Sequence, residues 1–564
     1  MDINKILPQG SKRREFAKKV YARIFGEYTE EEKTYKKWID KNEPNKEDLA
    51  KQKNTKFDIN PKISIVVPVY NTPENFFAEL VQSLQNQTYS NWELCLADGS
   101  PEPIKYMQEY PKKDSRIKYK IIGENKGISG NTNEALTLAT GDYIGLLDHD
   151  DLLPSFSLFE IVKVINENPE VEFIYSDEDK LERLKGPRYG VFFKPDFSPY
   201  TLNSANYICH FSIFKKELMD KLGGFRSEYD GSQDFDIVAR ASELTQNIIH
   251  IPKVLYHWRA HKNSTAQNSD SKPYAFEIGK KVIKDHIKRI LDIDVEVTDG
   301  LTPGSYEVKY IVKENYKVSI IIDGTNMSKE QINSLIEKVK ISTYKNYEII
   351  IITNEKLEEK YKTVKLTNNI FEDYNKAVSL AEGKYFIIFD ENLINIDKTS
   401  YIEDLVGICQ DPNVGIVGTK LYNEQNQVEH SGIILGMNGI GDFLYKGAPK
   451  DIGTYMQRLL IIHNVMCVYV KYAMIDKAVF EKIRGFTTEY KELAVSIDTC
   501  LKILQQQKQV VINPIISICV KKLNQTDKID EEKFQKHWTN MYKRGDIYFS
   551  PNLSKNNTGL SINI

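Results

Sequence analysis

The chain repeats itself once, at a spacing of about 250 residues, across four ordered pairs of segments. Solenoid and propeller repeats have periods of roughly 20–50 residues, so this period is too long for either. It predicts two whole domains of one fold in tandem, joined near 293–316. The paired segments are ISIVVPVYN (63–71) and VSIIIDGTN (318–326), TYSNWE (88–93) and TYKNYE (343–348), NEALTLATGDYIGLLDHD (133–150) and NKAVSLAEGKYFIIFDEN (375–392), and GGFRSEY (223–229) and RGFTTEY (484–490).

The first repeat alternates short apolar runs with segments of helical spacing. ISIVVPVY, WELCLAD, IKYKIIG and YIGLLD read as buried strands, and the segments between them read as helices. This alternation predicts an α/β fold with a parallel sheet, whose ligands bind at the carboxyl ends of the strands. The polar residues at those ends are Tyr70, Asn71, Asp98 and Asp148 to Asp151.

Changes in the residue pattern along the chain predict four parts. Residues 1–60 form a helical extension, 61–292 the first domain, 293–316 a linker, and 317–564 the second domain. The extension carries a basic stretch from Lys12 to Arg23, which we interpret as a solvated helix face. Contact of this basic helix with anionic lipid at a membrane surface is the alternative.

Composition excludes several classes of protein. Lys and Arg number 76 against 79 Asp and Glu, which does not favour general nucleic-acid binding. The six cysteines form no CxxC pair, so neither a disulfide framework nor a structural zinc site is indicated. No apolar run reaches the roughly 18 residues of a membrane span, and the start does not resemble a secretory signal. We expect a protein of the cytoplasm.

Acidic residues follow the fourth strand of the first domain. Asp148 and Asp150 supply hard oxygen ligands of the kind that Mg²⁺ and Mn²⁺ prefer, and such a cation commonly neutralises a diphosphate. A lone Asp-x-Asp is a weak signal, but this one lies at the ligand-binding end of a strand. Asp98, which ends the second strand, could accept hydrogen bonds from a base or ribose. A turn-forming role in its Asp-Gly-Ser loop is the alternative.

Two later segments carry further candidates. Asp234 begins a helix-like stretch, where it could deprotonate an acceptor hydroxyl or simply cap the helix. His257, Arg259 and His261 follow a strand, and they suit metal ligation and phosphate binding. We place the loop Asp177–Lys180 near the acceptor side.

Taken together, several ordered motifs resemble the family-2 glycosyltransferases with the GT-A fold. The resemblance covers about 63–292, and the tandem layout resembles a branch often described as rhamnosyltransferases of bacterial surface polysaccharides. It implies an inverting transferase that uses a nucleotide-diphosphate sugar and Mn²⁺ or Mg²⁺. The motifs that carry it are PVYN, LADGS, GNTNEALTLATGDYIGLLDHDD, GGFRSEYDGSQDFD and YHWRAHKNST.

The resemblance also implies a role for each candidate residue. Asp234 is the expected catalytic base. The expected metal ligands are Asp150, His261 and, less directly, His257. The expected nucleotide-sugar contacts are Pro68, Tyr70, Asn71, Asp98, Asp148 and Arg259, with Arg259 on the diphosphate.

The second domain lacks most of these acids. Aligned through the repeat, Asp98 becomes Thr353, Asp150 becomes Asn392 and Asp234 becomes Ser496, while Asp148 is retained as Asp390. We expect this domain to keep the fold without transfer, and to bind the acceptor or orient the first domain. A second active site that uses Glu391 and Glu492 is the alternative.

The partners follow only as classes. We expect a dTDP- or UDP-linked sugar, with rhamnose as one candidate, and an acceptor that is a glycan, a lipid-linked glycan or a glycoprotein. The expected location is the cytoplasm, at the inner face of the cell membrane if the basic helix binds lipid. The competing hypotheses are a bifunctional transferase and a non-catalytic carbohydrate-binding scaffold. The scaffold predicts loss of the acids in both halves, and the first half keeps them.

Overall fold

The fold is described from a computed structural model for residues 29–182, 186–261, 273–521, 523, 531–556 and 560–564. The helices are α1 (Glu30–Asn42), α2 (Lys46–Asn54), α3 (Glu74–Gln85), α4 (Tyr110–Lys113), α5 (Gly127–Leu136), α6 (Ser157–Glu167), α7 (Pro199–Leu202), α8 (Lys216–Leu222), α9 (Gln233–Leu244), α10 (Pro273–Leu291), α11 (Lys329–Val339), α12 (Ile370–Leu380), α13 (Tyr401–Cys409), α14 (Lys477–Lys482), α15 (Glu492–Gln505), α16 (Glu531–His537) and α17 (Thr539–Arg544).

The strands of the first half are β1 (Ile63–Val69), β2 (Trp92–Asp98), β3 (Ile117–Ile121), β4 (Tyr143–Leu146), β5 (Phe173–Leu181), β6 (Arg188–Phe192), β7 (Ile213–Lys215) and β8 (Ile248–Arg259). Those that follow are β9 (Val295–Asp299), β10 (Tyr306–Tyr310), β11 (Val318–Asp323), β12 (Tyr347–Ile352), β13 (Lys362–Val364), β14 (Tyr385–Phe389), β15 (Leu393–Ile396), β16 (Val414–Tyr422), β17 (Val428–His430), β18 (Ile433–Leu435), β19 (Gly441–Phe443), β20 (His463–Asn464), β21 (Met474–Asp476) and β22 (Gln509–Val520).

The first sheet has eight strands in the order β3-β2-β1-β4-β7-β5-β6, with β8 beside β5. β1 runs parallel to both β2 and β4, and β7 runs antiparallel between β4 and β5. All seven residues of β2 are buried, which accounts for its largely apolar sequence, because helices cover both faces of such a sheet. The predicted α/β class is confirmed.

The second sheet repeats this arrangement. Its ten strands include the order β13-β12-β11-β14-β21-β16-β22, in which β21 takes the place of β7. The registers also agree, because Tyr143 of β4 pairs with Lys215, and Tyr385 of β14 pairs with Asp476. The internal repeat in the sequence is therefore a repeat of strand topology.

The amino-terminal extension is helical where the structure describes it. α1 begins with a capping box in which the side chains of Thr29 and Glu32 each accept a backbone N–H of the other residue. Tyr35 and Trp38 on α1 are buried, and the Trp38 ring centroid lies 4.9 Å from that of Phe193. The basic stretch that could contact lipid lies outside the described residues.

The expected linker contains an ordered hairpin. β9 and β10 pair antiparallel, and alternation along β10 buries Tyr306, Val308 and Tyr310 on one face. The Tyr310 ring lies 5.8 Å from the ring of Tyr200 in the first half, and its backbone lies against Gly407 in the second half. The segment therefore packs against both halves instead of spanning open solvent, because its aromatic residues are buried.

Within the described part of the chain, no helix combines the length and the apolar character that crossing a bilayer needs. All six cysteines lie in the described ranges and have free thiols.

Candidate active site

An acidic loop follows β4 at the carboxyl edge of the first sheet. Asp151 is buried there: its Oδ2 accepts the Tyr256 hydroxyl at 2.5 Å, and its Oδ1 accepts the backbone N–H of Arg259 at 2.7 Å. Burial, with the negative charges of Asp150 and Asp148, raises the pKa of Asp151 well above its ordinary value. Asp151 therefore fastens the loop to β8, while Asp148 and Asp150 remain half-buried at the edge.

Arg259 holds the same loop from the end of β8. Its Nε donates to the backbone carbonyl of Asp150 at 2.5 Å, and its Nη2 lies 2.6 Å from Glu79 Oε2. The guanidinium also lies over the Phe76 ring at 4.5 Å, and the residue is only 1% exposed. A phosphate that contacts Arg259 has to compete with Glu79, so in this arrangement Arg259 positions the loop. Its contact with a diphosphate stays a prediction.

Asp150 and His261, two of the predicted metal ligands, lie together. Asp150 Oδ2 is 2.6 Å from His261 Nε2, and both side chains are partly exposed. The His261 ring also lies 5.3 Å from the Phe76 ring. A carboxylate oxygen and an imidazole nitrogen at this separation can turn toward one cation.

Sequence reasoning missed His210, which lies beside the acidic loop. One ligand atom each from Asp148, Asp151 and His210 lie within 4.8 Å of one another, close enough to hold a metal ion. The His210 ring stacks on Tyr256 at 4.4 Å, and its Nδ1 lies 3.4 Å from Glu178 Oε2. The internal repeat could have pointed to His210, because it aligns His210 with another basic residue, Lys471.

The segment Asp177–Lys180 is part of β5 and is not a loop, and its place near the acceptor stays a prediction. Its three acids are buried, and each supports a different histidine. This correction follows from pairing with β8, which turns a polar sequence into an interior strand. The pairs are Asp177 Oδ1 with His250 Nε2 at 2.8 Å, Glu178 Oε2 with His210 Nδ1 at 3.4 Å, and Asp179 Oδ1 with His257 Nδ1 at 2.5 Å.

His257 is consequently not placed with the other predicted metal ligands. Asp179, which it contacts, also accepts the Tyr35 hydroxyl at 2.6 Å and Arg188 Nε at 2.5 Å. Burial raises the pKa of Asp179, but Arg188 and His257 together hold it below its ordinary value. His257 thus belongs to a buried charged network beneath α1, and the structure gives no support to its role as a metal ligand.

Asp234, the expected catalytic base, lies at the start of α9. It is the second residue of α9, whose cap position is Ser232, so the helix-capping alternative is wrong. Asp234 Oδ2 accepts the side-chain amide of Asn206 at 2.8 Å. Burial chiefly raises the pKa of Asp148, and the negative charges of Asp150 and, to a smaller extent, Asp234 add to this increase.

The predicted nucleotide contacts meet at the ends of β1 and β2. Pro68 lies in β1, Tyr70 is 42% exposed, and the backbone N–H of Asn71 donates to Ser100 Oγ at 2.8 Å. Asp98 is only 1% exposed. Its carboxylate accepts the backbone N–H groups of Ser100 at 2.9 Å and Ile104 at 3.0 Å, together with the Tyr119 hydroxyl. These hydrogen bonds are the ones expected if Asp98 forms the turn of its Asp-Gly-Ser loop. Its contact with a nucleobase stays a prediction.

Two donor sets are available for a divalent cation. In the first, Asp150 and His261 offer a carboxylate and an imidazole at the rim. In the second, both Asp151 oxygens already accept hydrogen bonds, and His210 is held as a cation next to Glu178. The residues therefore fit a divalent cation, and Asp150 with His261 is the better pair because both side chains are partly exposed at the rim, whereas Asp151 is buried.

The charge on His210 predicts a pH dependence of stability. Burial lowers its pKa, but Glu178, Asp148 and Asp151 outweigh burial and raise it from 6.5 to about 9. The stabilisation is complete below pH 6.5 and is lost as the pH rises through 9; it amounts to more than about 1.4 kcal/mol. Urea unfolding across this range, in EDTA, should show the loss in wild type. A His210→Gln variant should show a flatter profile, whereas His537→Gln at the surface should follow wild type.

The corresponding region of the second half is differently bonded. Asp390 Oδ2 lies 2.9 Å from Lys471 Nζ, and its Oδ1 accepts the Tyr472 hydroxyl. Asn392, which replaces Asp150, donates its side-chain amide to Asp390 at 3.1 Å. Ser496, which replaces Asp234, donates to the backbone carbonyl of Glu492 at 2.8 Å. Asp390 is thus bonded to Lys471, Tyr472 and Asn392, while Ser496 bonds to the backbone of its own helix.

Comparison with known proteins gives a family match for part of the chain. Residues 64–223 match the family described as Glycosyl transferase family 2. This range runs from the second residue of β1 past β7 and includes the acidic loop, and it ends before Asp234 and Arg259.

Two curated relatives extend over most of the chain. An uncharacterized protein of Sinorhizobium fredii is 33% identical over 471 residues, which cover 78% of this chain and 51% of that protein. The O-antigen biosynthesis protein RfbC of Myxococcus xanthus is 29% identical over 498 residues, which cover 85% of this chain and 38% of that protein. The chain therefore spans about half, or less, of the length of these relatives.

Among solved structures, S. aureus TarS 1-349 in complex with UDP-GlcNAc is similar at 19% identity and a TM-score of 0.34. The match covers 40% of this chain and 66% of that one.

Proposed function

We propose that this chain, of which residues 64–223 match the family described as Glycosyl transferase family 2, transfers a sugar from a nucleotide-diphosphate donor to a glycan acceptor, with inversion. The observation that carries the proposal is the group of acids at the carboxyl edge of the first sheet. Asp150 lies 2.6 Å from His261 there, and one ligand atom each from Asp148, Asp151 and His210 lie within 4.8 Å of one another. Ligands of open α/β sheets bind at this edge.

In the proposed reaction, the chain's own residues bind, orient and accept a proton. Asp234 takes the proton of the acceptor hydroxyl as that oxygen attacks the anomeric carbon, and Asn206 holds the carboxylate in place. The electron pair of the broken bond leaves with the nucleoside diphosphate, so no covalent enzyme intermediate forms. Asp150 and His261 would hold Mn²⁺ or Mg²⁺, whose positive charge would stabilise the departing diphosphate. Arg259 keeps the acidic loop in position.

We further propose that the acceptor is a glycan of a bacterial surface polysaccharide. Support comes from the Myxococcus xanthus relative, which is named for O-antigen biosynthesis and of which this chain spans 38%. The donor is proposed to be UDP- or dTDP-linked, with rhamnose as one candidate sugar.

Calorimetric titration tests the donor site. UDP, dTDP and GDP are titrated into the full chain and into Asp150→Ala, each with and without Mn²⁺. We expect one of the nucleotides to bind in a Mn²⁺-dependent way and Asp150→Ala to lose that binding. Release of nucleoside diphosphate during turnover identifies sugar transfer. Absence of binding by all three nucleotides contradicts the proposal and favours the carbohydrate-binding scaffold.

The second half is proposed to bind the acceptor or orient the first half, without a transfer reaction of its own. Ser496→Ala should leave the transfer rate within about twofold of wild type. The substitution should still cost about 1 kcal/mol of stability, because the Ser496 hydroxyl also accepts the Val470 N–H at 3.2 Å. A rate loss beyond tenfold, about 1.4 kcal/mol of barrier, would mean that the second half has chemistry of its own.

A further inference from the structure

The two sheets place a basic side chain at the same point beside their first acidic residue. The antiparallel pairs β4/β7 and β14/β21 have the same register, so positions can be matched one by one. Tyr143 pairs with Lys215 in the first sheet, and Tyr385 pairs with Asp476 in the second. Asp148 and Asp390 each lie five residues after the paired tyrosine, so they occupy matching positions. His210 and Lys471 each lie five residues before the tyrosine's partner, so they match as well.

Lys471 is enclosed by carboxylates. Its Nζ lies 2.9 Å from Asp390 Oδ2 and 2.7 Å from Glu492 Oε1, and its side chain is 7% exposed. Glu492 is held in turn by the Tyr469 hydroxyl at 2.6 Å. The ammonium group therefore lies between two carboxylates, which is the position that a divalent cation takes in an oxygen-ligand site.

The supporting acid for this position has moved to another element. β5 pairs with β7 in the first sheet, and β16 pairs with β21 in the second, so that Ile174 and Val417 occupy matching positions. Four residues further along each strand, Glu178 is matched by the apolar Leu421. In the first half, Glu178 on the sheet supports His210. In the second half, Glu492 at the start of α15 supports Lys471 from the other side.

A tethered ammonium and a free cation compete for the same carboxylates. Lys471 neutralises Asp390 without loss of translational freedom, since the chain already holds it there. An arriving divalent cation meets a fixed positive charge beside the buried carboxylate of Asp390, where that repulsion is poorly screened. It also finds the other Asp390 oxygen accepting the Tyr472 hydroxyl.

We propose that Lys471 is a built-in replacement for a divalent cation, so that the second half takes up neither the cation nor a nucleotide that depends on it. Shortening Lys471 uncovers a cation site formed by Asp390 and Glu492. The inference rests on the proposed function only in treating the equivalent edge of the first half as the cation-dependent donor site.

Mn²⁺ binding to the full chain tests this inference, with electron paramagnetic resonance to count bound ions and no nucleotide present. The Asp150→Ala background removes the proposed first site. We expect Asp150→Ala to bind no Mn²⁺, and Asp150→Ala with Lys471→Ala to bind one ion per chain. Adding Asp390→Asn should abolish that binding. Lys482→Ala, which removes an exposed lysine of the second half, is the matched control and should create no site.

Two results overturn the inference. One is that Asp150→Ala still binds Mn²⁺ and that adding Asp390→Asn to this variant abolishes the binding. Both proteins retain Lys471, so this comparison decides the question even if Lys471→Ala does not fold. The other is a folded Lys471→Ala variant that gains no ion. Failure of the proposed function appears separately, as wild-type protein that binds no nucleotide, because the Mn²⁺ counts contain no nucleotide.

Discussion

Replacing Asp234 with asparagine is expected to lower the turnover number about 100- to 10,000-fold while nucleotide affinity stays within about twofold. The substitution keeps the size of the side chain, and its carbonyl oxygen can still accept the Asn206 amide that now lies 2.8 Å away. What is lost is the carboxylate that takes a proton from the acceptor hydroxyl. Steady-state rates, together with calorimetric titration of the nucleotide, separate the two effects.

The matched control is Asp220→Asn, which makes the same chemical change at an exposed carboxylate paired with Lys216. Its turnover should equal that of wild type. An Asp234→Asn variant that loses nucleotide affinity together with turnover would place Asp234 in the donor site and refute its assignment as the base. A variant that retains full turnover would show that another group accepts the proton.

The sheet could be predicted from sequence because its signal is local and periodic. The run ISIVVPVY became β1, WELCLAD became β2, and the repeat at 318–326 led to β11 in the second sheet. Short apolar runs with helical segments between them indicate parallel strands, as β1 to β4 are. The antiparallel strands β6 and β7 were not predicted. The acidic loop was found for the same reason, since it directly follows the strand that ends at Leu146.

Other parts of the site depend on contacts that no local pattern encodes. His257 and Arg259 occupy the same strand, two residues apart, yet one pairs with Asp179 and the other with Glu79. Those partners lie far away in sequence, so spacing alone did not separate a structural histidine from a candidate ligand. His210 was missed because it lies outside the His-rich segment and acquires its charge from Glu178 across the fold.

The segment Asp177–Lys180 was wrongly predicted to be a loop for a related reason. Acids in succession usually indicate a solvated loop, but here each acid has a buried cationic or histidine partner. Burial of such groups is tolerated only when they are paired, so the partners decide where the segment can lie. The sequence contains the partners but does not reveal the pairing.

The same reasoning predicts a large loss of stability when Arg188 is replaced with methionine. Arg188 Nε lies 2.5 Å from Asp179 Oδ2, and its Nη2 lies 2.6 Å from Glu43 Oε1. Asp179 is fully buried, so removing the guanidinium leaves a carboxylate whose remaining partners are Tyr35 and His257. Breaking a buried pair in this way typically costs about 3–5 kcal/mol.

Urea unfolding of the full chain measures this cost, with Lys36→Met on α1 as the control. The Lys36–Asp40 pair is exposed, with 58% and 63% of the side chains accessible, so its loss should cost no more than about 0.5 kcal/mol. An Arg188→Met change of similar size to the control would mean that water or His257 compensates Asp179. A large change limited to Arg188→Met would instead show that the network fastens α1 to β8, the strand that ends at Arg259 and supports the acidic loop.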